Sequence, residues 1–470
     1  MTRWWRRPRE GEQRAWPARI VQNLDIRWEP WNASGVDEHG HPQDEPARRP
    51  PRTALVLAGG GALGAYEAGV LQYVLDDLQV DVPDVAAPRF DLFCGTSVGA
   101  LNASYLASAA HDPARSGRDL AAFWRSVTFD RVFRFSTREL GTAVRLVLGT
   151  PPGRDWLRKL RLARGASRPA SGPHEPVAGL LDTSPLDELM GELVPWEQLQ
   201  RNVDEGTVDG VAICTTEICT GTSIIFFQTG SDIEYRLGRD PAKHARRVRL
   251  GREHAMASAA IPFLFPSVQI RGVCYTDGAL RQNTPLNPAL RMGADRVLVV
   301  SIAQEPEVAS RIARIGCRRN AYPGALFLLG KTVGILLTQS LDYELKRVEM
   351  YNKLLSGGAE IYGAGFAHDL NTIMGAHRNA TYRPVRTCHI RPSEDLNQLA
   401  LQALRRAPQE VAVPGLPGKV LSRFFRSSAF AESELLATLM FTPTFVQSLV
   451  DLGYRDARSQ REELVRFFAP

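Results

Sequence analysis

The stretch Phe90-Asp91-Leu92-Phe93-Cys94-Gly95-Thr96-Ser97-Val98-Gly99-Ala100-Leu101-Asn102-Ala103 runs from a short apolar segment, through a Gly-x-Ser-x-Gly turn, into residues with helical spacing. Five mainly apolar residues (90–94) suit a buried strand, and AlaLeuAsnAlaSerTyrLeu (100–106) suits a helix. Small residues two before and two after the serine permit a sharp strand-to-helix turn that projects the hydroxyl. The five-residue string alone arises by chance in Gly-rich chains of this length. Its position between strand and helix is what makes Ser97 a candidate nucleophile.

Upstream, ThrAlaLeuValLeuAla (53–58) reads as another buried strand, and Gly59-Gly60-Gly61-Ala62-Leu63-Gly64 joins it to a helix beginning near Ala65. Consecutive glycines let backbone amides approach a negative oxygen, and the N-terminus of the following helix favours negative charge at the same spot. The anion is either a phosphate or a developing oxyanion. The loop also fits the dinucleotide pattern, which calls for an acidic residue closing a second strand about 20 positions on. Asp84 has the spacing but follows Pro83 in what reads as a loop. Downstream, Tyr275-Thr276-Asp277-Gly278-Ala279 follows the strand-like ValCysTyr (273–275). Asp-Gly is ordinarily a turn. With a serine and an anion site upstream, however, Asp277 becomes a candidate base, since a serine hydroxyl requires one nearby to attack.

The three elements in this order resemble the patatin-like phospholipase family. The likeness extends over residues 54–71, 95–103, 257–266 and 276–295, and spans roughly residues 53–303. It implies a Ser97–Asp277 dyad without histidine, an acyl-enzyme intermediate, and an oxyanion hole from the amides of Gly60 and Gly61 with Gly59 beside them. It further implies a lipid ester substrate of the phospholipase A or lysophospholipase type. Many relatives carry a basic residue where this chain has Leu63, a change expected to bear on headgroup preference. Two readings compete with it. One is an α/β-hydrolase triad recruiting His368, His377 or His389; the other is a catalytically weak lipid-binding scaffold.

Further strands are expected at 209–216, 223–228 and 296–301, and a further helix near His254. The expected fold is therefore a three-layer α/β/α core around a mostly parallel sheet, followed by a helical region. The domain reading is an N-terminal Trp/Arg/Pro-rich extension (1–52), a catalytic domain (53–303) with a basic insertion loop (150–178), and a mainly helical C-terminal region (304–470). Helical periodicity there is clearest around 326–355 and 433–449.

A net charge of +6 is a mild excess of 57 basic over 51 acidic residues, and no recognition element for nucleic acid accompanies it. Five of the eight tryptophans lie within the first 31 residues, and six arginines against two glutamates within the first 20. That mixture suits peripheral contact with an anionic membrane through residues 1–31. Neither a secretory signal nor a spanning segment is evident, the best apolar run (325–330) being cut short by Lys331. A cytoplasmic location follows as the expectation. The six cysteines read as buried free thiols, and no motif calls for a metal or cofactor.

Overall fold

The computed structural model describes residues 50–135, 179, 181–230, 233, 235, 240–303, 341–378, 381–411 and 435–469. The extension up to residue 49, the basic insertion, the apolar run 325–330 and Cys317 lie outside the described residues. From residue 51 onward the described part falls within one compact unit, Pro51–Pro470.

Strands β1 (Thr53–Leu57), β2 (Leu92–Thr96), β3 (Gly210–Glu217), β4 (Ser223–Thr229), β5 (Lys243–Arg247), β6 (Val268–Ile270), β7 (Val273–Asp277), β8 (Arg296–Val300) and β9 (Arg386–Ile390) form one sheet. Its order is β9-β8-β1-β2-β3-β4-β5, with β7 pairing both β3 and β6. The pairs β9/β8, β8/β1, β1/β2, β2/β3 and β4/β5 are parallel, whereas β3/β4, β3/β7 and β6/β7 are antiparallel. The sheet is thus mostly parallel, as expected, with an antiparallel patch around β3.

Central strands are mainly apolar and almost wholly buried because both faces are covered. Alternate residues enter two separate cores: Leu55, Leu57, Phe93, Val211, Ile213, Leu298 and Val300 on one side, Ala54, Val56, Leu92, Cys94, Ala212, Val297 and Val299 on the other. The larger core holds α1 (Gly64–Gln72), α2 (Val98–Ala109), α3 (Ser116–Arg125), α4 (Ser184–Leu193), α5 (Trp196–Asp204) and α6 (Arg252–Ser258). The smaller lies under α7 (Leu286–Arg291) and α8 (Leu341–Tyr362), with α9 (Phe366–Arg378) packed on α8. The chain returns to the larger core through α10 (Leu396–Arg406), α11 (Leu435–Leu439), α12 (Pro443–Ser459) and α13 (Arg461–Phe468). The C-terminal region is therefore helical as expected, except that it also donates edge strand β9.

Helix α1 is buried from Gly64 through Leu71. A helix buried all round needs a partner on each side, and α12 supplies one by close approach. A β-carbon on Gly69 would strike the backbone of Val450, and one on Gly453 the carbonyl of Tyr66. Tyr66 Oη then donates to Asp456 Oδ2 at 3.1 Å.

Five described cysteines are free thiols. Cys94, Cys214 and Cys388 are buried as expected, but Cys219 is exposed at the end of β3, where the chain leaves the sheet. No helix among the described residues is long and apolar enough to cross a membrane.

Candidate active site

The turn after β2 places Ser97 at φ 53° and ψ −125°, a backbone conformation that side chains other than glycine seldom adopt. Neighbouring glycines make it attainable. A β-carbon on Gly95 would meet the backbone of Gly99 and Ala100, and one on Gly99 would meet the carbonyls of Leu57 and Ala58. The strain is held by a specific bond: Ser97 N donates to Ser258 Oγ at 2.8 Å, and Ser258 Oγ donates to the Cys214 carbonyl at 2.6 Å.

Asp277 reaches the same point from β7, which continues along the edge of β3 that β2 occupies, just past the end of β2. Thr96 on β2 lies beside Cys214, and Asp277 on β7 lies opposite Thr215. Two residues 180 positions apart are thereby brought together, with Ser97 Oγ donating to Asp277 Oδ2 at 2.7 Å. The other carboxylate oxygen accepts from Ala279 N at 2.8 Å, which fixes its rotation. Gly278 allows this turn, because a β-carbon there would strike the Cys214 carbonyl. Both side chains are buried. Burial pushes the Asp277 carboxyl up to about 7, opposed by the bonds from Ala279 and Ser97.

The glycine loop lies against the serine. A β-carbon on Gly59 would sit 2.9 Å from that of Ser97. Gly59 N donates to both the carbonyl and Oδ1 of Asn283, each at 3.1 Å. Gly61 takes φ +57°, and the amides of Gly60 and Gly61 donate to no acceptor among the described residues. Leu63 points into the core, and its amide closes the turn on the Gly60 carbonyl at 3.1 Å.

Beside Ser97 opens a narrow cleft with a cavity of about 40 Å³, continuous with solvent. Gly61, Leu101, Trp124, Met190, Phe265 and Phe441 are among the residues that line it. Such walls suit a hydrocarbon chain and leave Ser97 as the polar group among them. Phe441 comes from the segment between α11 and α12, so the C-terminal region contributes to the wall of this cleft.

Neither His368 nor His389 lines the cleft. His389 Nε2 is 2.8 Å from Ser301 Oγ, and burial lowers its pKa to about 4. His368 is exposed on α9, and the side chain of His377 lies outside the described residues. Asp84 is exposed in a turn and closes no strand, unlike the acidic residue of a dinucleotide site.

The model for patatin-like phospholipases matches residues 55–290, about half of the chain. This chain belongs to the patatin-like phospholipase family. Among solved structures, this chain is similar to VipD from Legionella pneumophila, at 14% identity and a TM-score of 0.31 over 88% of this chain and 67% of that one. It is also similar to human GIVD cytosolic phospholipase A2, at 10% identity and a TM-score of 0.37 over 89% of this chain and 60% of that one. The same human enzyme in complex with methyl gamma-linolenyl fluorophosphonate matches at 11% identity and a TM-score of 0.34, over 89% and 59%. The chain thus spans about three-fifths of the human enzyme. No curated protein sequence matches it significantly.

Two residues of the patatin-like site went unassigned in the sequence, Ser258 and Asn283. Both lie inside the blocks that carry the family resemblance, which was the available signal. Nothing local distinguishes them, because their hydrogen bonds run to residues 161 and 224 positions away.

Proposed function

We propose that the protein hydrolyses carboxylic esters of lipids through an acyl-enzyme on Ser97. The observation that carries the reading is the 2.7 Å bond from Ser97 Oγ to a buried carboxylate, made from a strained turn at the mouth of an apolar cleft. Family membership supports lipid hydrolysis as the general activity.

Ser97 Oγ attacks the ester carbonyl carbon while its proton passes to Asp277 Oδ2. The negative charge that develops on the carbonyl oxygen is received by the amides of Gly60 and Gly61, which are uncommitted among the described residues. Gly59 has a structural part instead, since Asn283 occupies its amide. Collapse of the tetrahedral species breaks the ester bond, and the leaving alcohol takes the proton from Asp277. Water then repeats the sequence, giving up a proton to Asp277 and releasing the fatty acid and the Ser97 hydroxyl. No step requires a histidine.

The test is hydrolysis of a panel of phospholipids, lysophospholipids and soluble esters by wild type, Ser97→Ala and Asp277→Asn, with labelling by a fluorophosphonate. Both variants are expected to lose about 10³-fold or more in kcat, and Ser97→Ala to escape labelling. Full activity in Asp277→Asn, or loss on replacing His389 with the fold intact, would overturn the dyad.

A further inference from the structure

We infer that the turn Ile261–Phe265 is an interfacial anchor that seats the cleft on a phospholipid surface, with Phe263 entering the lipid. The inference rests on the lipid hydrolase reading above and identifies how substrate would reach that site.

The turn closes on a single acceptor: the Ile261 carbonyl receives Leu264 N at 3.2 Å and Phe265 N at 2.9 Å. Phe263 is left at the apex with φ +68° and its residue 72% exposed. Both facts are unfavourable in water. A left-handed backbone suits glycine or asparagine and is costly for a bulky side chain. A phenyl ring held in solvent also forgoes the gain of burial. Outliers of this kind persist where the surroundings impose them, and they gather at ligand-contacting sites.

The surroundings here belong to the active site. The Ala260 carbonyl accepts from Asp277 N at 2.9 Å and from Thr276 Oγ1 at 2.7 Å, so the strand bearing the candidate base fixes the foot of the turn. Leu181 N binds the Leu264 carbonyl at 2.9 Å and holds the other side. Ile261 and Phe265, on either side of Phe263, are buried and line the cleft beside Ser97. The apex is therefore presented by the two residues that form the cleft wall. Seated in a bilayer or micelle, Phe263 recovers its burial energy, and the apolar wall becomes continuous with the hydrocarbon that holds the acyl chains. A lipid aggregate is favoured over a protein partner because it is the phase in which the proposed substrate resides.

The experiment compares the full chain with Phe263→Asn and Phe263→Gly, which accept the left-handed backbone and so keep the fold, and with Phe263→Trp, which keeps an aromatic ring. Each is sedimented with sucrose-loaded vesicles of pure phosphatidylcholine, a neutral surface on which basic residues elsewhere in the chain contribute little. Each is also assayed on those vesicles and on a soluble monomeric ester. Wild type and Phe263→Trp are expected to sediment, and the Asn and Gly variants to partition about tenfold less or weaker still. Vesicle hydrolysis should fall in parallel, while the rate on the soluble ester changes no more than about twofold. Failure of wild type to sediment, or Asn and Gly variants that sediment as wild type does, would overturn the anchor. So would equal losses on both substrates. Sedimentation needs no catalysis, so a chain that binds vesicles but hydrolyses nothing would overturn the hydrolase reading and leave the anchor standing.

Discussion

Asp277 must be ionised to accept the Ser97 proton, yet its burial pushes the carboxyl up to about 7. Activity on a soluble ester is therefore expected to rise with pH and to reach half its plateau near pH 7. A profile half-maximal near pH 4 would show an ordinary carboxylate and contradict this. The same shift has a consequence for stability with a definite sign. A folded-state pKa above the unfolded value means that the native state binds the proton more tightly, so the contribution is intact below about pH 4 and is lost as pH rises through about 7. Asp277→Asn removes the charge but keeps an acceptor for Ala279. At pH 8 this variant is expected to be more stable than wild type, by on the order of 2–4 kcal/mol, while being inactive. Thermal unfolding at pH 5 and pH 8 checks it, since the advantage should shrink at the lower pH. Ser97 and Asp277 could be picked out in the sequence because turn chemistry marks both. Ser258 and Asn283 could not, since a serine or asparagine side chain carries no local sign of a partner more than 100 residues away.

At the scale of single elements, the elbow depends on the crossing of α2 over the end of β1. Gly99 packs onto the carbonyls of Leu57 and Ala58, so Gly99→Ala is expected to push α2 away and misplace Ser97. A loss of about 10²-fold in kcat with a fall of several degrees in melting temperature is the expected outcome. Retained activity would show that α2 has room to give. The helix is also tied through Asn102, whose Nδ2 donates to Glu67 Oε2 on α1 at 2.9 Å and whose Oδ1 accepts from Trp124 Nε1 on α3 at 3.0 Å. Trp124 lines the cleft, so this buried network connects the pocket wall to the helix after the glycine loop. Strands β1 to β4 and β8 were legible as apolar runs, because both faces of the central sheet are buried. The edge strands β5 and β9 were not, since LysHisAlaArgArg and ArgThrCysHisIle are partly exposed and lack that run.

At the scale of the whole molecule, the sequence divides after residue 303, but the packing continues across that point. Periodicity revealed helices near the C-terminus without revealing what they cover, since an amphipathic stripe does not name its partner. In the structure α12 lies along α1, and the segment before it brings Phe441 to the cleft. Gly453 sets the approach, a β-carbon there meeting the Tyr66 carbonyl and the Val70 amide. Because α1 begins where the glycine loop ends, forcing α12 outward should disturb the loop as well as the core. Gly453→Leu is accordingly expected to cost about 3 kcal/mol or more and to lower soluble-ester hydrolysis in the fraction that remains folded. Urea unfolding gives the first quantity, and active-site titration with a fluorophosphonate normalises the second. A variant as stable and as active as wild type would mean that α12 packs on α1 without supporting the site. A loss of stability with full activity per labelled site would confine its part to holding the core together.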